Sequence, residues 1–328
     1  MPDLSARYMS LDLRNPVIIA SSPLTADIAN LRKCEEAGAG AVVLKSIFEE
    51  QIESQVDREM LQNEEYLSHA DAALYFENVS KGYYVNEYLK LLREAKKELS
   101  IPVIASINCT NLSTWVSYIK EFENAGADAI ELNYYPIASA ASVEGRTVDR
   151  LALDFASKVK REASRPVSIK IGSRYSSLAN MIKGFDVIGI DALVLFNRFY
   201  RPDIDIESMT LSQAANPLSS SHEYAESLRW IALMSGEVKC DLCASTGIHQ
   251  GETMIKMLLA GASACQICTA ALKDLSIIRT MCDTLSAWMS RHGFSSISDF
   301  RGRLAQENME ETGLWERTQY IKKLSGSN

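Results

Sequence analysis

The chain has 328 residues, 47% of them hydrophobic and 23% charged, and its 34 basic and 42 acidic side chains leave a net charge of −8. Those proportions are ordinary for a soluble globular protein and exclude a disordered or collagen-like chain. The acidic balance, with no long Lys/Arg block, argues for no nucleic acid and no anionic membrane as the main partner.

Residues 1–15 carry charges and no apolar core, so no signal peptide is expected and the cytoplasm is the default compartment. The longest uncharged run, residues 100–119, contains Pro102, Asn108, Thr110 and Asn111 and does not read as a membrane span. The first strand is expected at 17–21, from Asn15-Pro-Val-Ile-Ile-Ala20, followed by an amphipathic helix at 26–36. Ala37-Gly-Ala-Gly-Ala41 then leads into a strand at 41–46, and a long connection runs from 47 to 83, acidic and helix-like over 49–65. A helix at 84–99, a strand at 103–108 and a helix at 111–124 follow. Ala125-Gly-Ala-Asp-Ala129 opens a strand at 129–134, with a connection over 135–147 and a helix at 148–163. Arg165-Pro-Val-Ser-Ile-Lys170 marks a strand at 167–172, and a weaker helix is read over 177–185. Ile188-Gly-Ile-Asp-Ala192 begins the strand at 192–197, and a third long connection spans 198–221. A helix at 222–234, a strand at 239–245 and a helix at 252–259 lead to Ala260-Gly-Ala-Ser-Ala264 and the last strand, 264–269.

In each repeated unit a helix ends at a glycine suited to a left-handed C-cap and a short apolar strand follows. Eight such strands in even series describe an α/β protein of the (β/α)8 TIM-barrel class better than an open sheet. A doubly wound sheet would also want a glycine-rich turn after its first strand, where this chain reads Ala20-Ser-Ser-Pro23. One domain over 1–328 is expected, with an extra helical segment at 272–305 packed on the barrel and long loops on the C-terminal face.

The seven cysteines are too few and too scattered for a disulfide framework. Cys240/Cys243 and Cys265/Cys268 have zinc-like spacing, but they lie in strand-like runs where residues three apart point to opposite faces. Buried strand cysteines, and no metal, are the expectation.

If the strands are parallel, their C-terminal residues meet around one mouth: Ala20 and Ser21, Lys45 and Ser46, Ser106 and Asn108, Asn133, Lys170, Asn197, Ser245-Thr246-Gly247, and Cys268-Thr269. Lysines and asparagines ending apolar strands are costly to bury without a polar ligand. The bland reading is a lysine paired inside the barrel, such as Lys170 with Glu131. Small and hydroxyl residues after strands 7 and 8 suit a phosphate held by backbone N–H groups.

These residues resemble the dihydroorotate dehydrogenases, FMN-dependent (β/α)8 enzymes of pyrimidine biosynthesis, over roughly residues 11–304. The likeness is carried by Asn15-Pro and Ala20-Ser21, Lys45-Ser46, Glu131-Leu-Asn133, Ile169-Lys170, Asn197, Ser245-Thr-Gly-Ile248, Gln266-Ile-Cys-Thr-Ala270 and the 293–302 segment. The resemblance implies FMN as cofactor, with Lys170 stabilising reduced flavin near N1/O2 and Lys45 contacting flavin or substrate. Ala20, Ser21, Ser46 and Asn133 would also line the flavin. Ser245, Thr246, Gly247, Cys268 and Thr269 would hold its phosphate, and Asn108 and Asn197 would meet the substrate.

Two departures bear on the substrate. The family carries a Cys or Ser base just past its ELN motif, where this chain reads Tyr134-Tyr135-Pro136; Tyr135 is the catalytic group left to consider. The family's Asn- and Gly-rich substrate loop has no recognisable counterpart in 49–76. The expected substrate is a small molecule, orotate-like or another enoate. Electron acceptor and partner stay unnamed, and a homodimer is compatible with the sequence. Two other readings stand beside this one: a cofactor-free aldolase or isomerase using Lys45 or Lys170 as a Schiff base, and a non-catalytic flavin- or nucleotide-binding barrel.

Overall fold

The computed structural model describes residues 2–48, 70–108, 112–134, 136–199, 202–212 and 218–316. Strands β3 (Val17–Ile19), β4 (Ala41–Val43), β6 (Val103–Asn108), β7 (Ala129–Tyr134), β8 (Val167–Ile171), β9 (Ala192–Leu195), β12 (Asp241–Ser245) and β13 (Ala264–Ile267) are all parallel. The sheet runs β4-β3-β13-β12-β9-β8-β7-β6 and closes through β4 on β6, so it is a (β/α)8 barrel. Around it lie α1 (Ile28–Glu36), α2 (Ala70–Glu98), α3 (Leu112–Asn124), α4 (Gly145–Glu162), α5 (Leu178–Ile188), α6 (Tyr224–Met234) and α7 (Gly251–Ala260). The helix expected to begin at 84 already starts at Ala70, which shortens the long connection after the second strand. After β13 come α8 (Thr269–Lys273) and α9 (Ile277–His292), the latter packed against α7.

The repeated glycine units have one structural cause. Gly38, Gly126, Gly189 and Gly261 adopt φ of +106°, +96°, +91° and +115°, ending each helix where a residue with a Cβ would be strained. Acidic groups beside them then tie neighbouring units together. Asp128 accepts from Val103 N (2.7 Å) and Lys96 Nζ (2.6 Å), and Asp191 accepts from Val167 N (2.8 Å) and Lys160 Nζ. Helix-end carboxylates repeat the device: Glu35 caps the amides of Ser100 and Ile101, Glu123 those of Ser164 and Arg165, and Asp186 those of Lys239 and Cys240. Each satisfies strand-entry N–H groups that the barrel ladder does not reach.

The other end of the barrel is plugged by a hairpin that the periodicity did not predict. Strands β1 (Ala6–Tyr8) and β2 (Leu11–Leu13) pair antiparallel around Met9 and Ser10, both with positive φ. Tyr8, Met9 and Leu13 bury themselves with Ile18, Val43, Ile104, Val194 and Cys243 inside the barrel. Cys265 lies instead in the layer between strands and helices, as alternation requires.

One irregularity decides what the second strand presents. Val43 is registered with Ile104, and Ile47 of the short strand β5 (Ile47–Phe48) with Ile107. Four steps along one chain thus match three along the other, a β-bulge over residues 44–46 that exchanges the faces of successive side chains. Strands β10 (Asp203–Asp205) and β11 (Thr210–Ser212) form a separate hairpin between β9 and α6.

Candidate active site

Alternation along the strands sends Ser106, Glu131, Asn133, Lys170 and Gln266 into the C-terminal half of the barrel, all of them buried. They form two hydrogen-bonded groups. In the first, the Ser46 hydroxyl sits 3.0 Å from Ser21 Oγ and 2.7 Å from Ser106 Oγ, and Asn133 Nδ2 donates to Ser46 Oγ (2.8 Å) and Ser106 Oγ (3.0 Å). Tyr88 of α2 locks the strand behind it: its hydroxyl accepts from Ser106 N at 2.7 Å. Burial pushes that phenol upward, so it remains a neutral hydrogen-bonding group. Asn197 Nδ2 approaches Asn133 Oδ1 at 3.4 Å, joining the ends of the fourth and sixth barrel strands.

The second group crosses the barrel. Lys170 Nζ donates to Gln266 Oε1 at 3.0 Å, and Gln266 Nε2 donates to Glu131 Oε2. Lys170 and Glu131 are thus connected through Gln266, which corrects the direct pair considered from the sequence. Burial raises the Glu131 carboxyl above its ordinary pKa, although the Lys170 charge and the Gln266 hydrogen bond pull it down.

The turn after β12 lies beside this network. Thr246 and Gly247 have φ of +74° and +76°, and Thr246 Oγ1 donates to Phe196 O at 3.0 Å. Among the described residues, the amides of Thr246, Gly247 and Cys268 donate to no acceptor of the protein, and Thr269 opens a helix whose first amides have no intrahelical acceptor. Ser219 braces this corner, its amide donating to Thr269 Oγ1 (3.0 Å) and its hydroxyl 2.9 Å from His249 Nε2. Burial, followed by the Lys273 charge, holds His249 below its ordinary pKa.

A cavity of about 160 Å³ joins the two halves, lined by Ala20, Ser21, Lys170, Asn197, Ser245, Thr246, Gly247, Gln266, Cys268 and Thr269 among others. A larger cavity of about 960 Å³ shares Asn197, Arg198 and Thr246 with it. At their border Arg198 Nε donates to Glu223 Oε2 at 2.9 Å.

Most strand-end residues expected at the mouth therefore converge; Lys45 does not. Its neighbour Ser46 turns inward, and the bulge leaves Lys45 exposed in a separate groove of about 550 Å³, which Asp27, Ser46, Tyr84 and Glu87 also line. Asn108 ends β6 opposite Phe48, partly exposed. Tyr135 lies outside the described residues. Tyr134 faces the helices, stacked on Phe155 at 4.9 Å, and Ser139 and Ser142 are exposed and line neither of the two joined cavities. Sequence reasoning missed Gln266 as a contact, together with Arg198 and Ser219. The first had a signal, since Gln266 is a polar residue in an apolar strand, like Glu131 and Asn133 or Ser168 and Lys170 in theirs.

A closed parallel barrel with anion-receptive turn amides and a buried lysine at its mouth defines the (β/α)8 class, with polar groups gathered at the strand ends where enzymes of this class build their sites. The family described as dihydroorotate dehydrogenase matches residues 3–289, and the chain belongs to that family. It is 27% identical over 306 residues to the dihydroorotate dehydrogenase B (NAD(+)) catalytic subunit of Thermoplasma acidophilum, covering 92% of this chain and 99% of that one. The corresponding subunit of Thermoplasma volcanium is 27% identical over 308 residues, 92% and 98% of the two chains. That of Bacillus cereus is 25% identical over 211 residues, 63% and 68%. The chain is therefore an oxidoreductase of the dihydroorotate dehydrogenase type, and the aldolase and non-catalytic readings fall away.

Proposed function

We propose that the chain is an FMN-dependent oxidoreductase acting on a CH–CH bond of a small, orotate-like or other enoate substrate. The observation that carries this is the pairing, across one cavity, of unengaged turn amides at Thr246, Gly247 and Cys268 with the buried Lys170 ammonium. That donor set fits FMN: anion-binding amides at one end and a cation for an electron-rich ring edge at the other. When bound, FMN supplies hydride exchange at N5.

The residues would divide the work as follows. Amides of Thr246, Gly247, Cys268 and Thr269 would hold the phosphate, with Ser245 setting the turn. Ala20, Ser21 and Ser46 would line the ring pocket, and Asn133 and Asn197 would orient ring and substrate by their amide groups. Lys170 would hold positive charge at the pyrimidine edge, where it is stronger for being shielded from water. Family resemblance gives Lys45 a flavin or substrate contact, which its exposed side chain would have to make from the groove that Ser46 also lines.

No Cys or Ser occupies the usual base position after Asn133, and this supports a substrate or direction other than rapid dihydroorotate oxidation. The relatives' names specify NAD(+) and a catalytic subunit; for this chain we carry over only an electron acceptor delivered by a soluble or protein partner. Ile204 and Leu211 face each other across the β10–β11 hairpin, and both are exposed, as are Ile206 and Met209 at its turn. Exposed apolar side chains gathered on one hairpin favour association, and the homodimer of this reading would place a second copy over them. Among the described residues no helix is long and apolar enough to cross a membrane, and a cytoplasmic location is part of the proposal.

The test is an absorbance spectrum of the purified, untreated protein. A flavin spectrum with about one FMN per chain is expected; a colourless protein that takes up no added FMN overturns the reading.

A further inference from the structure

Glu131 is a carboxyl group with no exposed surface in the centre of the barrel. Its Oε2 accepts from Gln266 Nε2, while its Oε1 has no partner among the described residues. It sits on β7, and Gln266 sits on β13, four strands away around the barrel. The hydrogen bond therefore spans the interior and ties opposite walls together.

A glutamine amide has a donor end and an acceptor end, and packing alone barely distinguishes them. Beside an ammonium the choice matters. With its oxygen toward Lys170, Gln266 accepts a charge-assisted hydrogen bond; with its nitrogen there, two N–H groups would face a cation. A carboxylate oxygen accepts, so Glu131 holds the nitrogen end and leaves Oε1 of Gln266 for Lys170. The selection belongs to the acceptor role of Glu131 Oε2, since a protonated carboxyl would also carry a donor and could hold either end of the amide.

We propose that Glu131 is a positioning residue: by fixing the Gln266 amide it holds the Lys170 ammonium at the end of the barrel where the flavin pyrimidine edge would lie. This rests on the FMN reading given above. The alternative, that Glu131 merely fills the core, has a different signature. Loss of a buried negative charge acting by itself would favour an anionic flavin, whereas loss of Lys170 positioning would disfavour it. The two effects have opposite signs.

Sulfite titration of the FMN-loaded protein separates them. Sulfite donates its lone pair to flavin N5, and the displaced electron pair settles on N1–C2=O, so its affinity reports the cation held there. Glu131→Met, which cannot accept a hydrogen bond, is expected to weaken sulfite binding by about tenfold, or about 1.4 kcal/mol. Gln266→Met should do the same, and it reads the proposal where Glu131→Met fails to fold. Glu131→Gln, whose carbonyl can still accept from Gln266, should recover most of the loss. In a Lys170→Met background, Glu131→Met and Gln266→Met should add nothing, because the path ends at the missing ammonium. Wild-type sulfite affinity in FMN-loaded Glu131→Met or Gln266→Met, or tighter binding, overturns the proposal and leaves the FMN reading intact. A wild-type chain that binds no FMN overturns both.

Discussion

Gly247 lies against the start of α6 so closely that a Cβ on it would stand 2.3 Å from the amide nitrogen of Tyr224. Its φ of +76° also lies where a side chain is strained, and the turn it makes presents the amides proposed to hold phosphate. Gly247→Ala therefore meets two obstacles in one place. A loss of at least about 2 kcal/mol in folding stability is expected, together with release of FMN. Denaturant unfolding and FMN titration of the variant check both.

Lys170→Ala removes the charge proposed to favour reduced flavin while leaving the phosphate turn untouched. The FMN reduction potential should fall, with a smaller change in FMN affinity. An unchanged potential in flavin-loaded protein would make Lys170 a structural partner of Gln266.

Dihydroorotate oxidation needs a base on the face opposite flavin, within hydrogen-bond reach of the proton removed. The segment expected to supply it reads Tyr134-Tyr135-Pro136; Tyr134 is turned to Phe155, and burial pushes its phenol upward. Anaerobic stopped-flow mixing with dihydroorotate should bleach the flavin about 10²- to 10⁴-fold more slowly than a base-equipped site would allow. Rapid bleaching would show that another group supplies the base. A phenolic acid suits the reverse direction, the reduction of an enoate.

Acid sensitivity should originate at the strand-entry staples. Burial pushes Glu35 and Asp186 upward, but hydrogen bonds outweigh it: from Ser100 and Ile101 for Glu35, from Cys240 and Lys239 for Asp186. Both end below their ordinary values of 4.5 and 3.8. The folded state therefore binds fewer protons than the unfolded chain in that range. Their contribution is full above those values and is lost as pH falls below them through the lower values these groups hold in the folded state. Glu35→Gln and Asp186→Asn should each lower stability at neutral pH and flatten its fall below about pH 5, as urea melts across pH would record.

Ile204→Lys combined with Leu211→Lys places two like charges on directly opposed positions of the exposed hairpin. If the proposed homodimer forms through this hairpin, sedimentation should show the variant more monomeric than the parent, with the flavin spectrum retained. A variant as dimeric as the parent would place the contact elsewhere.

Much of the barrel was legible because its signals are local. Each glycine C-cap and apolar strand is read within about ten residues, as are the turns at Ser245–Gly247 and Cys268–Thr269, and such signals survive whatever the chain packs against. Relations between distant strands were not legible. Lys45 lies on a strand whose alternation would send it inward with Ala41 and Val43, and only the extra residue between β4 and β5 turns it out. The N-terminal hairpin is too short to show periodicity, and it becomes a plug only because the barrel offers an apolar end to fill. Sequence placed Lys170 and Glu131 together inside the barrel; closure of the barrel brought Gln266 between them within hydrogen-bonding distance of both. Local conformation follows from neighbouring residues along the chain, whereas register, bulges and cross-barrel contacts follow from how all eight strands close together.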